Sequence, residues 1–329
     1  MTAPTVLFIG GNGIISSACS ALAVERGFDV TLLNRGTDSK RPPIEGVRHI
    51  TGDADHLEDV LLGESSDQRW DVVVNFRSFL PSAVAKDVEL FTGRTGQYVY
   101  ISSASAYQKP VARLPITEST PLHNPFWQYS RDKIASEDVL VAAYRNAGFP
   151  ATIVRPSHTY DRTLIPLEGG WTQLDRMLRG EPVVVHGDGT SLWTLTHNTD
   201  FAQAFVGLLN NPRAIGDTFQ ITSDEVLPWD AITNILGDAL GVTPEIVHVT
   251  SDAIARAIPE WGPGLLGDKA HSVIFDNAKV RSVVPEYRAV TPFWKGAREI
   301  AEWHLESPVR QKVDAELNAQ LDALVAAAG

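Results

Sequence analysis

A phenol and an ammonium group stand four residues apart in the stretch from Tyr129 to Lys133. On a helix this spacing puts both side chains on one face, one turn apart. A free tyrosine has a pKa of about 10, too high for a base near neutral pH, and a neighbouring cation lowers that pKa. Hydroxyl side chains also follow a β-rich run at Ser103 and Ser105. The combination predicts acid–base chemistry at Tyr129, with Ser103 donating a hydrogen bond to a carbonyl or alcohol.

A glycine-rich turn near the start of the chain predicts a phosphate-binding site. A buried strand over residues 5–11 leads into this turn, and a helical pattern follows it. Gly10 allows a tight turn, Gly13 lets a pyrophosphate approach the backbone, and the helix N-terminus offers free N–H groups to the anion. Ser16 replaces the usual third glycine and is small enough for close packing. We expect a dinucleotide to contact Gly10, Asn12, Gly13, Ile14 and Ile15.

The end of the second β-rich run suggests which dinucleotide is bound. An acidic residue there binds the ribose hydroxyls of NAD, but this chain has Asn34 and Arg35. Because a guanidinium is well shaped to bind a phosphate, the sequence favours NADP, with NAD as the alternative. A solvated loop arginine would show the same pattern. Asp53, beside Ala54, is placed either to accept from the adenine amino group or to cap its own loop.

The elements that position these residues follow from the hydrophobic pattern. Residues 72–74 and 152–154 are continuously apolar, as in strands covered on both faces, and strands alternate with helical patterns through the first half. This predicts an α/β fold with a Rossmann-type, doubly wound parallel sheet and a smaller C-terminal substrate lobe. We assign the dinucleotide domain to residues 1–157 plus about 193–222, and the lobe to about 158–192 and 223–329.

The end of the chain shows a helical pattern over residues 309–324. It places on one face the apolar side chains of Val309, Val313, Leu317, Leu321 and Leu324. The pattern predicts a helix that packs on its own lobe or contacts a second subunit.

Composition argues against several classes of function. A net charge of −12 repels phosphate backbones, so we expect no binding to nucleic acid. No apolar run reaches about 18 residues and no signal-peptide pattern is visible, so we expect no membrane association and a cytoplasmic location. Cys19 is the single cysteine. Since no acidic or histidine cluster has metal-ligand spacing either, we expect no metal.

Together, these motifs resemble the extended short-chain dehydrogenases/reductases, the superfamily of NAD-dependent epimerases and dehydratases. The resemblance covers nearly the whole chain. It implies hydride transfer between nicotinamide and a substrate carbon, with catalytic roles for Ser103, Tyr129 and Lys133. It also implies a homodimer through the Tyr129 helix and its neighbour. The motifs that carry it are Gly10 to Gly13, Gly52-Asp53, Ser103, Tyr129 with Lys133, Arg155-Pro156, and Gly187 to Asp200. The cofactor contacts then include Tyr129, Lys133 and Pro156.

Departures from the family pattern indicate a substrate without a nucleotide. His158 stands where nucleotide-sugar enzymes have an asparagine, and Trp193 stands where they have an arginine that binds the diphosphate. Residues 75–78 replace a small, alanine-rich segment of the family. We expect Phe76 and Arg77 to contact the cofactor, and the alternatives for Arg77 are a contact with the substrate or a surface salt bridge. Trp193 also suits a protein core, and His197 suits a structural role. The predicted substrate pocket comprises Ser103, Ser105, His158, Tyr160, Trp193 and His197.

These observations predict an NAD(P)-dependent oxidoreductase that interconverts a carbonyl and an alcohol on a small, fairly apolar metabolite. A second hypothesis is an epimerase or dehydratase that keeps its cofactor bound, although Ala104 and Ser105 lack the acid–base pair that dehydration needs beside Ser103. A third is a non-catalytic RNA-binding protein, because residues 34–36 and 75–77 are similar to those of the chloroplast stem-loop RNA-binding branch. The Ser103, Tyr129 and Lys133 set and the negative charge argue against RNA.

Overall fold

A computed structural model describes residues 2–36, 41–64 and 68–329. Its centre is a seven-stranded sheet in which every neighbouring pair is parallel. The thirteen strands of the described residues are β1 Thr5–Ile9, β2 Asp29–Asn34, β3 Arg48–Thr51, β4 Trp70–Asn75, β5 Thr95–Ile101, β6 Ala151–Pro156, β7 His158–Tyr160, β8 Val183–His186, β9 Leu192–Trp193, β10 Leu195–His197, β11 Thr218–Ile221, β12 Leu227–Pro228 and β13 Ile246–Val249. The main sheet has the order β11-β6-β5-β4-β1-β2-β3.

Helices cover both faces of this sheet. Those described are α1 Ile14–Glu25, α2 Leu57–Glu64, α3 Pro81–Phe91, α4 Gln128–Ala147, α5 Trp171–Arg179, α6 Asn198–Leu208, α7 Trp229–Leu240, α8 Ser251–Ala257, α9 Gly262–Gly264, α10 Ala278–Val283, α11 Phe293–Leu305 and α12 Ala315–Ala328. The predicted α/β fold with a doubly wound parallel sheet is confirmed. The strand order reverses at β1, between β4 and β2, and such a reversal opens a crevice at the carboxyl ends of the strands.

Burial on both faces explains the continuously apolar strands. In β1, Val6 and Phe8 belong to the core under α1 and α6, whereas Leu7 and Ile9 belong to the core under α3 and α4. All four side chains are fully buried. Because successive side chains of a strand point to opposite faces, a strand with two covered faces needs no polar alternation.

The second half of the chain adds short two-stranded pairs and further helices. The pairs are β7 with β10, β9 with β12, and β8 with β13. A separate core of aromatic and aliphatic side chains, which includes Trp171, Trp193 and Trp229, holds α5, α7 and α11 together. Helix α6 and strand β11 return to the main sheet, as the sequence predicts. The residue boundaries of the two domains stay a prediction.

The C-terminal helix is shorter than the sequence indicates. It begins at Ala315, after Asp314, whose Oδ1 accepts from the backbone N–H of Glu316 and of Leu317 at 3.0 Å. Val309 and Val313 precede this cap and are 75% and 44% exposed, so the helix predicted from residue 309 was wrong at its start. A capping aspartate satisfies first-turn donors and sets the helix boundary, which the apolar spacing alone does not reveal.

The described residues contain no helix with both the length and the apolar character needed to cross a bilayer. In the same part of the chain, no group of three or more His, Cys, Asp or Glu side chains lies close enough to hold a metal ion.

The buried part of this helix should carry its stabilising contacts. Leu321 is fully buried in the core shared with α8 and β8, whereas Val309 is solvated. Leu321→Ala should lower the free energy of unfolding by about 2–5 kcal/mol. The control Val309→Ala should change it by less than about 0.5 kcal/mol. Urea unfolding followed by circular dichroism measures both, and equal costs would contradict the assigned packing.

Candidate active site

The glycine turn after β1 lines a cavity of about 570 Å³ at the carboxyl edge of the sheet. Gly10 has a φ of +87°, and a Cβ there would lie 2.6 Å from Cγ of Arg77, so both conformation and space require glycine. The N–H of Gly13 donates to Oγ of Ser16 at 2.7 Å, and that hydroxyl donates to the Gly10 carbonyl at 2.8 Å. Ser16, which replaces the third glycine of the motif, therefore closes the turn.

The first turn of α1 offers an anion-binding position beside that cavity. Its N–H groups have no acceptor within the helix, and Ile14 and Ile15 line the cavity. A helix N-terminus with unpaired N–H groups attracts a phosphate. The geometry therefore fits a dinucleotide pyrophosphate.

The other end of this cavity is formed by the ends of β2 and β3. Asn34, Arg35, Asp53 and Ala54 all line it. The amide Oδ1 of Asn34 accepts from the N–H of Gly36 at 3.0 Å, while its Nδ2 is buried with no partner in the described chain. Because buried donors are nearly always paired, this amide fits a ligand oxygen. Oδ1 of Asp53 accepts from the N–H of Asp55 at 3.1 Å, which is the loop-capping alternative.

Arg41 is a lining residue that the sequence analysis missed. Its Nε lies 2.5 Å from Oδ2 of Asp161, and its other nitrogens donate to Oγ1 of Thr163 at 2.7 Å and to the Asn12 carbonyl at 3.3 Å. The guanidinium thus joins the glycine turn to the segment after β7. No local signal points to this contact, because 120 residues separate Arg41 from Asp161.

Ser103 and Tyr129 line both the first cavity and a second cavity of about 310 Å³. A chain of hydroxyls orients Ser103. Ser130 Oγ donates to Ser105 Oγ at 2.8 Å, and Ser105 Oγ lies 2.9 Å from Ser103 Oγ, where either hydroxyl can be the donor. Ser103 Oγ also accepts from the Ser105 N–H at 3.1 Å. Because Ser103 lines both cavities, its hydroxyl can also donate to a ligand oxygen bound there.

Tyr129 is a protonated phenol in this environment. Burial raises its pKa above the ordinary value, the hydrogen bond from Ser103 acts in the opposite direction, and the carboxylate of Asp268 raises it again. The pKa of Tyr129 is thus raised, which corrects the prediction that Lys133 lowers it. At neutral pH the side chain is therefore suited to donate a proton.

The surroundings of the Lys133 amine explain why it does not lower the pKa of Tyr129. Its Nζ donates to the carbonyl oxygens of Ile101 at 2.8 Å and Ser78 at 3.1 Å. Burial lowers the pKa of Lys133 to about 7, and the carboxylate of Glu137 acts in the opposite direction. Desolvation thus makes the ammonium partly neutral near pH 7, and its hydrogen bonds go to the backbone rather than to Tyr129.

Of the predicted substrate residues, Ser103, Ser105, His158 and Trp193 line the second cavity. Tyr160 and His197 line neither cavity of this site, which corrects the prediction for both. The Tyr160 ring is fully buried beside α11, in space left by Gly296, and it packs against His197 with ring centroids 5.3 Å apart. His197 contacts Thr199 and Glu299, so it has the structural role that the sequence also allowed.

The remaining predicted cofactor residues also line the first cavity. They are Gly10, Asn12, Gly13, Phe76, Arg77, Lys133 and Pro156. Arg77 is exposed, with its guanidinium carbon 5.6 Å from the centre of the Phe79 ring. Lining residues of the two cavities that the sequence analysis did not select include Phe79, Ser102, Ser157, Thr159, Trp127 and Phe275.

Two charged residues of the second cavity come from a π-helical turn, Leu265–Lys269. Asp268 forms an ion pair with the buried Lys109 at 3.2 Å, and Lys269 forms one with Glu168 at 2.8 Å. Neither Asp268 nor Lys269 was among the site residues predicted from the sequence. Such short π-helical turns occur frequently at functional sites, but spacing alone does not predict them.

The sequence pattern of the NAD dependent epimerase/dehydratase family matches residues 6–222. The chain belongs to this family. It is therefore an enzyme of the NAD-dependent oxidoreductase and epimerase type, as the glycine turn and the Tyr129 helix predicted.

Curated relatives have different activities. The chain is 26% identical to 2'-dehydrokanamycin reductase from Streptomyces kanamyceticus over 329 residues, covering 98% of this chain and 90% of that protein. It is 27% identical over 256 residues to a chloroplast stem-loop binding protein of 41 kDa from Arabidopsis thaliana, covering 74% of this chain and 65% of that protein.

A solved structure of dTDP-glucose 4,6-dehydratase from Bacillus anthracis, in complex with NAD, has the same fold. The TM-score is 0.73 at 19% identity, over 94% of this chain and 98% of that one.

The lowered pKa of Lys133 makes a prediction about stability. In the unfolded chain this amine titrates near its ordinary pKa of about 10.4. Above pH 7 the unfolded state therefore binds more protons than the folded state, and folding becomes more favourable as pH rises. In Lys133→Met this contribution is absent. Above pH 7, the free energy of unfolding of the wild type should therefore rise relative to that of Lys133→Met, by up to about 1.4 kcal/mol per pH unit.

Urea unfolding of both cofactor-free proteins in steps from neutral pH to about pH 9 measures that difference. A difference that stays constant or shifts the other way would contradict the lowered pKa.

Proposed function

We propose that the protein is an NADP-dependent reductase or dehydrogenase that interconverts a carbonyl and an alcohol on a small metabolite without a nucleotide. The supporting observation is that Ser103 and Tyr129 line both cavities. The larger cavity contains the glycine turn and suits the cofactor. The smaller one, about 310 Å³, is near the lower limit for ligand pockets and suits a compact substrate.

The chemistry of the reductive direction follows from the states of these side chains. A bound nicotinamide supplies the hydride. Ser103 donates a hydrogen bond to the carbonyl oxygen, which stabilises the negative charge that develops there. Tyr129, kept protonated by burial, transfers its phenolic proton to that oxygen and becomes a phenolate. Lys133 fixes the strand ends through the Ile101 and Ser78 carbonyls and lines the cofactor cavity.

The preference for NADP is supported by the end of β2. Arg35 is exposed and lines the cavity beside Asn34, where an acidic side chain would repel a 2′-phosphate. A guanidinium there binds the phosphate through paired N–H groups. The similarity to a full-length reductase supports net turnover, which requires exchange of the cofactor. The homodimer through α4 and the cytoplasmic location stay predictions.

Tyr129→Phe removes the proton donor and keeps the ring. It should lower kcat for carbonyl reduction by about 100-fold or more, while the Kd for NADPH changes by less than about twofold. The fall in NADPH absorbance with a panel of small ketones and aldehydes measures turnover, and NADPH fluorescence measures binding. Tyr144→Phe is the control, since Tyr144 lies on the same helix but lines neither cavity. Full activity of Tyr129→Phe would overturn the assignment.

Arg35→Ala tests the choice of cofactor. Loss of a charged hydrogen-bonding partner should weaken NADPH binding by about tenfold or more, with less than about a twofold effect on NADH. Arg26→Ala, an exposed arginine that does not line this cavity, controls for the change in net charge. Equal losses for both nucleotides would count against a 2′-phosphate contact.

The same assays separate the two alternatives. An epimerase would retain nicotinamide through purification and would turn over without a net change in NADPH absorbance. The relative named as a stem-loop binding protein makes RNA the other alternative. Binding of a stem-loop RNA that weakens steeply with salt, with no NADPH binding, would favour it.

A further inference from the structure

A paired histidine and tryptophan form part of the wall of the second cavity. Nε1 of Trp193 donates to Nδ1 of His158 at 3.2 Å, and the two rings are nearly perpendicular, at 84°. Trp193 is buried and packs against Trp229, with ring centroids 5.3 Å apart. Because the indole is held by this packing, its N–H stays directed at His158.

This contact determines the protonation state of the histidine. An indole N–H is only a donor, so Nδ1 of His158 must be an unprotonated acceptor. A neutral imidazole carries one proton, which therefore sits on Nε2. Protonation of Nδ1 would bring two N–H groups together. Burial, aided by the positive charge of Lys269, lowers the pKa of His158 to about 3.

The rest of the cavity wall carries compensated charges. Asp268 and Lys269, the charged side chains of this wall within the described chain, are each paired with a partner of opposite charge. Aromatic and small hydroxyl side chains, among them Trp127 and Phe275, make up much of the remainder. Nε2 of His158 donates to no side chain or carbonyl of the described residues, so its proton is left for a ligand.

We infer that His158 determines specificity by donating a hydrogen bond from Nε2–H to an uncharged oxygen of the substrate. The cavity then selects compact neutral molecules with a hydroxyl, ether or carbonyl oxygen at that position. Neutral donors such as His158, Ser103 and Tyr129 bring no unpaired positive charge into this cavity, and without one the desolvation of a phosphate is not compensated, so phosphorylated molecules are rejected. The inference rests on the proposed function only for treating this cavity as the substrate site.

The state of His158 is measurable without turnover. Long-range proton–nitrogen NMR spectra of the nitrogen-labelled protein report the tautomer, and His158→Gln assigns the signals. We expect a neutral, Nε2-protonated ring from about pH 5 to about pH 9. In Trp193→Phe, which lacks the indole donor, both tautomers should appear. A wild-type ring that titrates near neutral pH, or that carries its proton on Nδ1, would overturn the inference, as would an unchanged tautomer in Trp193→Phe.

Ligand selection is tested with two probes that differ by one phosphate. Myo-inositol should shift the Nε2–H signal of the cofactor-free protein, and myo-inositol monophosphate should not. His158→Phe, which keeps an aromatic ring but lacks the donor, should weaken inositol binding by about tenfold, whereas His158→Gln, which keeps an N–H donor, should stay within about threefold.

Equal binding of inositol to His158→Phe and wild type, tighter binding of the phosphate, or no response to inositol would each refute the inference. Because neither NADPH nor catalysis is involved, such a failure would leave the proposed reductase activity to be judged by Tyr129→Phe.

Discussion

The two hydrogen bonds from the amine of Lys133 tie the central helix to the carboxyl edge of the sheet. One goes to the carbonyl of Ile101, the last residue of β5, and the other goes to Ser78, after β4. A buried amine without acceptors would be costly, so helix α4 has one low-energy position against these strands. Tyr129 lies one turn earlier on the helix and Ser103 two residues after Ile101. Both are therefore positioned by this contact.

A buried polar network supports the segment that receives Lys133. Asp87 on α3 accepts from Asn75 at 2.8 Å, from Ser78 at 2.6 Å and from the Tyr98 hydroxyl at 2.5 Å. Oδ1 of Asn75 accepts from the backbone N–H groups of Arg77 and Ser78 at 2.8 and 3.1 Å. Burial raises the pKa of Asp87, and its three donors act in the opposite direction. The loop of residues 76–78, which borders Gly10, is thus held by the buried side chains of Asn75 and Asp87.

The strand, glycine turn and helix beside the first cavity were predictable because their sequence signals are local. The run from β1 through Gly10 to α1 is contiguous, so its turn and helix N-terminus follow from neighbouring residues. The residues that line the second cavity were predicted less well. His158 and Tyr160 occupy one short strand, yet only His158 lines the cavity, because the position of α11 decides where each side chain lies. Asp268 depends on a π-helical turn that periodicity does not reveal.

The sequence by itself determined the parallel sheet, the glycine turn and the pairing of Tyr129 with Lys133 on one helix face. These follow from the side-chain periodicity of strands and helices and from backbone conformations that a few neighbouring residues specify. Only the tertiary structure decided the protonation states and the contacts across the chain, such as Arg41 with Asp161. The pKa of Lys133 falls because distant strands remove water from its amine, and desolvation depends on the whole packed environment rather than on spacing.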